Sequence, residues 1–179
     1  MKKFTLLDLI FQAMIAASYI VLTVVFKEIS FGIIQFRVSE ILIILILFSP
    51  KHLIGVTLGC LIANIFSPMA ALDVPIGTSA TLIAGLLMIL FRRKVYTLIF
   101  PVITNAFLVA LILKIASEAP YWESVGYVAL GQFVVVGVFG VPIYLFLKNS
   151  VEVRKILEDD KKTLKWAFLF LLNSSGSTF

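Results

Sequence analysis

The sequence predicts an all-α integral membrane protein, a six-helix transmembrane bundle with short connections, on three observations. Of its 179 residues 61% are hydrophobic and 14% charged, with a mean hydropathy of +1.09, whereas soluble domains approach a quarter charged residues. The apolar residues fall into runs near the length of about 20 that crosses a bilayer as a helix. The basic residues gather at the ends of those runs, where the positive-inside rule places them. Six such runs fill residues 1–149 and leave no room there for a folded nucleotide-binding or receptor domain.

The spans follow in order. Lys2 and Lys3 precede the run 9–26, which resembles a signal peptide, but its length together with Asp8 and Gln12 makes it a retained first span. The second run, 29–48, carries Gly32, Gln35, Arg37 and Glu40 in its first half, so its outer part is expected to fold onto the bundle as a loop before helix resumes. Ser49-Pro50-Lys51-His52 ends it, and 53–66 is a short third span broken by Ser67-Pro68. A polar connection through Asp73 and Pro75 leads to the fourth, 77–91, stopped by Arg92-Arg93-Lys94. The fifth, 95–113, contains Pro101 and Asn105 and is followed by a loop over 114–123 with Pro120, Tyr121 and Trp122. The sixth, 125–147, is the longest clean run despite Gly131, Gln132, Gly137, Gly140 and Pro142.

With the amino terminus cytoplasmic, Lys2, Lys3, Lys51, Arg92, Arg93, Lys94, Lys148, Arg154, Lys155, Lys161, Lys162 and Lys165 lie inside, against Lys27, Arg37 and Lys114 outside. That asymmetry orients the chain with both termini cytoplasmic, as a multi-pass protein of the cell membrane. It also accounts for the net charge of +5 without a nucleic-acid partner. Residues 150–179 read as a charged cytoplasmic tail, in which the apolar stretch 166–172 covers about a third of a crossing. Cys60, the single cysteine, sits in an apolar run and forms no internal disulfide or thiolate cluster.

Polar groups at membrane depth are costly and by default mark function. They are Arg37, Glu40, Asn64, Asp73, Asn105 and Gln132, with Asp8 and Gln12 nearer the inner face. By the assigned topology Arg37, Glu40, Asn64, Asp73 and the aromatics Tyr121, Trp122 and Tyr127 lie toward the outer leaflet, with Asn105 and Gln132 somewhat deeper. Drawn from different spans but from one side, they outline a binding pocket that opens outward and ends part-way down. Each also has a plainer reading. Arg37 and Glu40, three apart, share a helical face and pair as ions. Asn64 caps its helix. Asn105 satisfies carbonyls freed by Pro101. Gln132 bonds a neighbouring helix. Asp73 is solvated on its loop, and the aromatics form an interfacial belt.

Small residues form a second pattern. Gly55, Gly59 and Ala63 make a stripe that fits close packing inside the bundle, while Ala13 and Ala17 on the first span fit contact with another protein. An enzyme is not expected. The single histidine, His52, lies in a cytoplasmic turn, and the sequence has neither an intramembrane nucleophile with its base nor metal-ligand spacing. It has no phosphate-binding loop, so it does not itself hydrolyse ATP and needs no cofactor.

Gln35-Phe36-Arg37-Val38-Ser39-Glu40, Gly59-Cys60-Leu61-Ile62-Ala63-Asn64, Asp73 followed by Gly77-Thr78 and Ala80-Thr81-Leu82, Asn105-Ala106 and the Gly-rich opening of the last span together resemble the QueT family. The resemblance runs from about Ala13 to Lys148. It implies a six-helix S component of an energy-coupling factor (ECF) transporter, which captures queuine or a related 7-deazaguanine queuosine precursor from outside. It also implies docking on a transmembrane T subunit and two ATPase subunits, which consume the ATP. The Ala-x-x-x-Ala face of such S components is matched by Ala13 and Ala17. Similar sequences open the last span with a Gly-Glu pair where this chain has Gly131-Gln132, which removes a carboxylate.

A guanine-like edge offers N1–H and N2–H donors, which suit a carboxylate, and an O6 acceptor, which suits an amide. Glu40 and Asp73 supply carboxylates, and Asn64, Asn105 and Gln132 amides. Trp122, Tyr121 or Tyr127 offer a stacking face worth about 1–3 kcal/mol per base. The same inventory suits riboflavin, thiamin or a folate, so the deazaguanine rests on the resemblance. A solitary facilitator and a non-transporting membrane assembly protein are the competing readings.

Overall fold

The computed structural model describes residues 6–32, 34–91, 93–151 and 157. The charged tail expected over 150–179 and the basic residues at positions 2, 3 and 92 thus fall outside it, apart from Ser150, Val151 and Leu157. Among the described residues every regular element is helical. Helix α1 (Leu6–Val25) leads into a short α2 (Lys27–Ser30), an irregular stretch, and a 3-10 helix, Val38–Leu47. Then come α3 (His52–Ile65), α4 (Ala70–Leu90), α5 (Val95–Ser117) and α6 (Tyr121–Asn149). Helices α1, α4, α5 and α6 are long and apolar enough to cross a membrane, while the 3-10 helix and α3 are shorter apolar segments.

Helix α1 has its polar side inward. Asp8, Gln12, Tyr19 and Thr23 are buried with Ile15 and Ala16 on one face, while Leu6, Met14 and Val21 are exposed. In water that arrangement would be unstable, because exposed apolar area costs about 25 cal/mol per Å². Facing lipid it is the stable one, since hydrocarbon solvates Leu and Val and leaves polar groups to find partners inside.

The third span packs where the glycine stripe expects. A Cβ at Gly55 would lie 2.7 Å from the Gln12 carbonyl oxygen, and one at Gly59 would lie 2.6 Å from Tyr19 Cβ and 3.0 Å from Ala16 Cα. The stripe therefore seats α3 directly on α1 inside the bundle. Ile15, Tyr19, Ile43, Ile46, Val56, Cys60, Ala63, Ala84 and Met88 form the core that these elements share. A smaller cluster of Val109, Leu113 and Val128 joins α5 to α6.

In the second segment the loop expected ahead of the helix runs up to Val38, where a 3-10 helix starts, with Gln35 at a left-handed φ of 53° and Arg37 extended at φ −84°, ψ 90°. Two other boundaries differ from the expected spans. The fourth begins at Ala70 rather than at position 77, since the stretch expected as a polar connection is largely helix. Pro75 has no N–H to donate, and the chain absorbs it by widening into a π turn over Asp73–Gly77, with the Thr78 N–H donating to the Asp73 carbonyl. The loop expected over 114–123 contracts around Glu118, left-handed at φ 54°, and Pro120, which caps α6. A second π stretch, Phe133–Gly140, lies within α6 just ahead of Pro142.

One end of the bundle is closed by a polar knot. Lys51 Nζ lies 2.7 Å from Asp8 Oδ1, the Gln12 amide nitrogen lies 3.3 Å from His52 Nδ1, and His52 Nε2 meets the Leu157 carbonyl at 3.1 Å. His52, which follows the turn Ser49-Pro50-Lys51, is fully buried there.

Candidate binding site

A second polar cluster lies deeper, among α1, the 3-10 helix, α3 and α4. Its floor is Glu40, at the start of the 3-10 helix, whose Oε1 accepts the Tyr19 hydroxyl at 2.6 Å and the Thr81 hydroxyl at 3.1 Å. Cys60 is the hub. Its Sγ lies 3.9 Å from Arg37 Nη1, 3.5 Å from Asn64 Nδ2 and 3.3 Å from Thr81 Oγ1. Asn64 Nδ2 also donates to the Asp73 carbonyl at 2.8 Å and to Thr78 Oγ1 at 3.2 Å. The Ser67 hydroxyl donates to Asp73 Oδ2. Alongside, the Thr23 and Ser39 hydroxyls meet at 2.7 Å and brace α1 against the 3-10 helix.

Local sequence explains these positions. The π turn carries Asp73 inward from the start of α4, and Gly77 leaves the space beside it: a Cβ there would stand 3.1 Å from Asn64 Nδ2 and 3.7 Å from Asp73 Oδ1. At Gly131 an added Cβ would collide with the Ile34 carbonyl oxygen, so α6 lies backbone to backbone against the stretch that leads into Arg37. Phe31, in the same stretch, presents its ring 5.2 Å from the Arg37 guanidinium carbon, a cation–π contact.

Each of the four central polar side chains keeps a free polar atom. Arg37 Nη2, Glu40 Oε2, Asn64 Oδ1 and Asp73 Oδ1 are buried without a hydrogen-bond partner. Such a group costs about 1–3 kcal/mol when left unpaired, and more when charged. Four on neighbouring side chains make a surface of donors and acceptors suited to a polar ligand. Gln35 Nε2, both amide atoms of Asn105 on α5, and Gln132 Oε1 on α6 are likewise buried and unpartnered. Among the described residues no group of His, Cys, Asp or Glu is arranged to hold a metal ion.

The plainer readings of these residues are not what the structure has. Arg37 makes no ion pair with Glu40; the two are joined through the backbone, Glu40 N–H to Arg37 carbonyl at 3.0 Å. Asn64 ties α3 to α4 instead of capping its own helix. Asn105 bonds none of the carbonyls near Pro101, and Gln132 Oε1 has no interhelical partner. Asp73, expected on a solvated loop, is 0% exposed.

Trp122 and Tyr127 are not brought to the cluster: they are 74% and 49% exposed, with Trp122 edge-on to Tyr121 at 5.3 Å, a placement that suits an interfacial belt. Tyr19, Cys60, Ser67, Thr78 and Thr81 belong to the cluster and were not singled out as site residues in the sequence. Ala13 and Ala17 are exposed on the outer face of α1, away from the cluster.

A family model described as QueT transporter matches residues 9–149. The protein named queuosine precursor transporter QueT of Lactococcus lactis subsp. cremoris (strain MG1363) is 35% identical over 151 residues, which is 74% of this chain and 88% of that relative. No solved structure matches.

Proposed function

We propose, from the premise that the chain belongs to the QueT transporter family, that it captures a 7-deazaguanine queuosine precursor, queuine or a biosynthetic relative, from the outer side of a prokaryotic cell membrane. The family is one of transporters, not enzymes, and long apolar helices make the protein a multi-pass membrane protein. The observation that carries the substrate reading is the set of free atoms at Arg37, Glu40, Asn64 and Asp73 on side chains tied together through Cys60.

These atoms complement a guanine-like edge. Glu40 Oε2 and Asn64 Oδ1 are acceptors for N1–H and N2–H, and Arg37 Nη2 is a donor for O6. Tyr19 and Thr81 hold Glu40 through its other oxygen, so the acceptor is set before the ligand arrives and little ordering is needed on binding. Asn105 and Gln132 add amides from the α5 and α6 side.

Transport against a gradient needs energy that this chain has no motif to draw from ATP. In this reading it is the S component of an ECF importer, a six-helix bundle with both termini inside that docks on a T subunit and two ATPases through α1. Ala13 and Ala17, exposed on that helix, allow the close helix approach that small residues permit in a membrane. Calorimetry of the detergent-solubilised protein against queuine, its precursors, riboflavin, thiamin and folate is the test. Tight binding of a deazaguanine is expected. Tight binding of a vitamin with none of a deazaguanine overturns the substrate, and uptake that persists without an ATPase partner overturns the coupling.

A further inference from the structure

We infer that the turn after α1 seats a membrane phospholipid with a primary ammonium headgroup, of the phosphatidylethanolamine type, its acyl chain in an apolar groove and its ammonium on Glu28. The groove is a cavity of about 310 Å³ lined by Glu28, Ile29, Gly32, Ile34 and Phe36. None of these residues belongs to the polar cluster that the substrate reading uses.

Gly32 shapes the turn. A Cβ there would lie 3.2 Å from the Glu28 carbonyl oxygen and 3.9 Å from that of Ile29. The chain therefore turns back tightly against α2, and its return through Ile34 and Phe36 supplies the rest of the lining.

Position in the membrane sets the class of occupant. Helix α1 has 20 residues, which rise about 30 Å, the thickness of the hydrocarbon core. With α1 crossing, Lys27 and Glu28 come at the level of the headgroups, at the end of α1 opposite the Asp8–Lys51 knot. Val25, Phe26, Ile29 and Ile34 are exposed there, and hydrocarbon is the solvent that covers such side chains in a bilayer. The groove thus opens among residues that already face acyl chains.

Charge sets the headgroup. Glu28 is the one charged residue of the lining and is exposed. Among the described residues the ion pair is Lys51 with Asp8, so neither Glu28 nor its neighbour Lys27 is paired. A primary ammonium brings one positive charge and three N–H donors to the carboxylate, and Lys27, also exposed, gives the lipid phosphate a counter-charge. An anionic headgroup without an amine meets Glu28 as a like charge.

The experiment is native mass spectrometry of the delipidated full chain in detergent at neutral pH. The probes are dioleoyl phosphatidylethanolamine, dioleoyl phosphatidylglycerol and chain-free phosphoethanolamine. Lipids held elsewhere on the bundle are common to wild type and variants, so the ratio of their affinities reads the groove. Glu28→Gln is expected to weaken phosphatidylethanolamine about fivefold, the upper end for an exposed ion pair, and to leave phosphatidylglycerol unchanged or tighter. Ile29→Ser, which removes apolar lining, is expected to weaken both lipids. Phosphoethanolamine is expected to bind wild type at least about a hundredfold more weakly than the lipid, since it carries no acyl chain to bury. Unchanged phosphatidylethanolamine affinity in Glu28→Gln, or equal losses of the two lipids there, overturns the inference. So does an Ile29→Ser protein that binds both lipids as wild type does, because the groove then holds no chain. Phosphoethanolamine binding on a par with the lipid makes the occupant a soluble zwitterion and overturns it as well.

Discussion

Glu40→Gln perturbs the proposed base-reading contact at a single atom. Glu40 Oε1 accepts the Tyr19 and Thr81 hydroxyls at 2.6 and 3.1 Å, and a glutamine keeps that acceptor by turning its amide oxygen the same way. The change then falls on the position of Oε2, which is buried and free of internal partners. An acceptor there becomes an NH2 donor, facing the N1–H and N2–H donors of the base. A buried polar group left unpaired costs about 1–3 kcal/mol, and at about 1.4 kcal/mol per decade this is roughly fivefold to 150-fold in affinity. Titration calorimetry with queuine reads the loss directly, and circular dichroism with a melting curve confirms that the variant is folded. Unchanged affinity in a folded Glu40→Gln protein refutes the reasoning and moves base recognition to Asp73 or to backbone carbonyls.

Tyr19→Phe should weaken the same ligand by roughly tenfold to 150-fold while the fold persists, because Glu40 loses the donor that fixes its orientation and a hydrogen bond to a charged group contributes about 1.5–3 kcal/mol; calorimetry that shows no change removes Tyr19 from the site. Gly59→Val should lower stability by about 1–3 kcal/mol or more, since its Cβ alone would meet Tyr19 and Ala16; a melting temperature equal to wild type would show that α1 and α3 are not held as close as described. Ala13→Leu with Ala17→Leu should abolish co-purification with the T subunit and ATP-dependent uptake while ligand binding in detergent stays near wild type. Loss of ligand binding in that double variant would place these alanines in the bundle interior.

Hydropathy alone places the apolar segments, because the energy of moving side chains into lipid is large and local. It misplaces the borders where polar residues are buried. Asp73 and Pro75 read as a loop since each is unfavourable in a lipid-facing helix, yet the π turn widens for the proline and brings the Asp73 carboxyl group to Ser67 and its backbone carbonyl to Asn64. Arg37, Glu40, Asn64 and Asp73 were legible as candidates because a polar side chain at membrane depth needs a reason. Tyr19, Cys60 and Thr81 were not, because a tyrosine, a thiol and a threonine pass unnoticed in an apolar run and only the fold makes them partners of Glu40 and Arg37. Trp122 and Tyr127 show the converse, since aromatic rings near a span end suit either stacking or the interface, and position in the bundle separates the two.

The 3-10 helix sets a rule of phase for the whole bundle. Its turn holds three residues and rises about 6 Å, so Glu40, Ile43 and Ile46 stand in one straight column, each fully buried. Over its ten residues the segment reaches about 5 Å further than an α-helix of the same count. Sequence drift in this stretch is therefore governed by threes. An insertion of three residues keeps the carboxylate above its isoleucines and lengthens the column, while an insertion of four, harmless to the facing of an α-helix, turns Glu40 about a third of a revolution away from Tyr19 and Thr81.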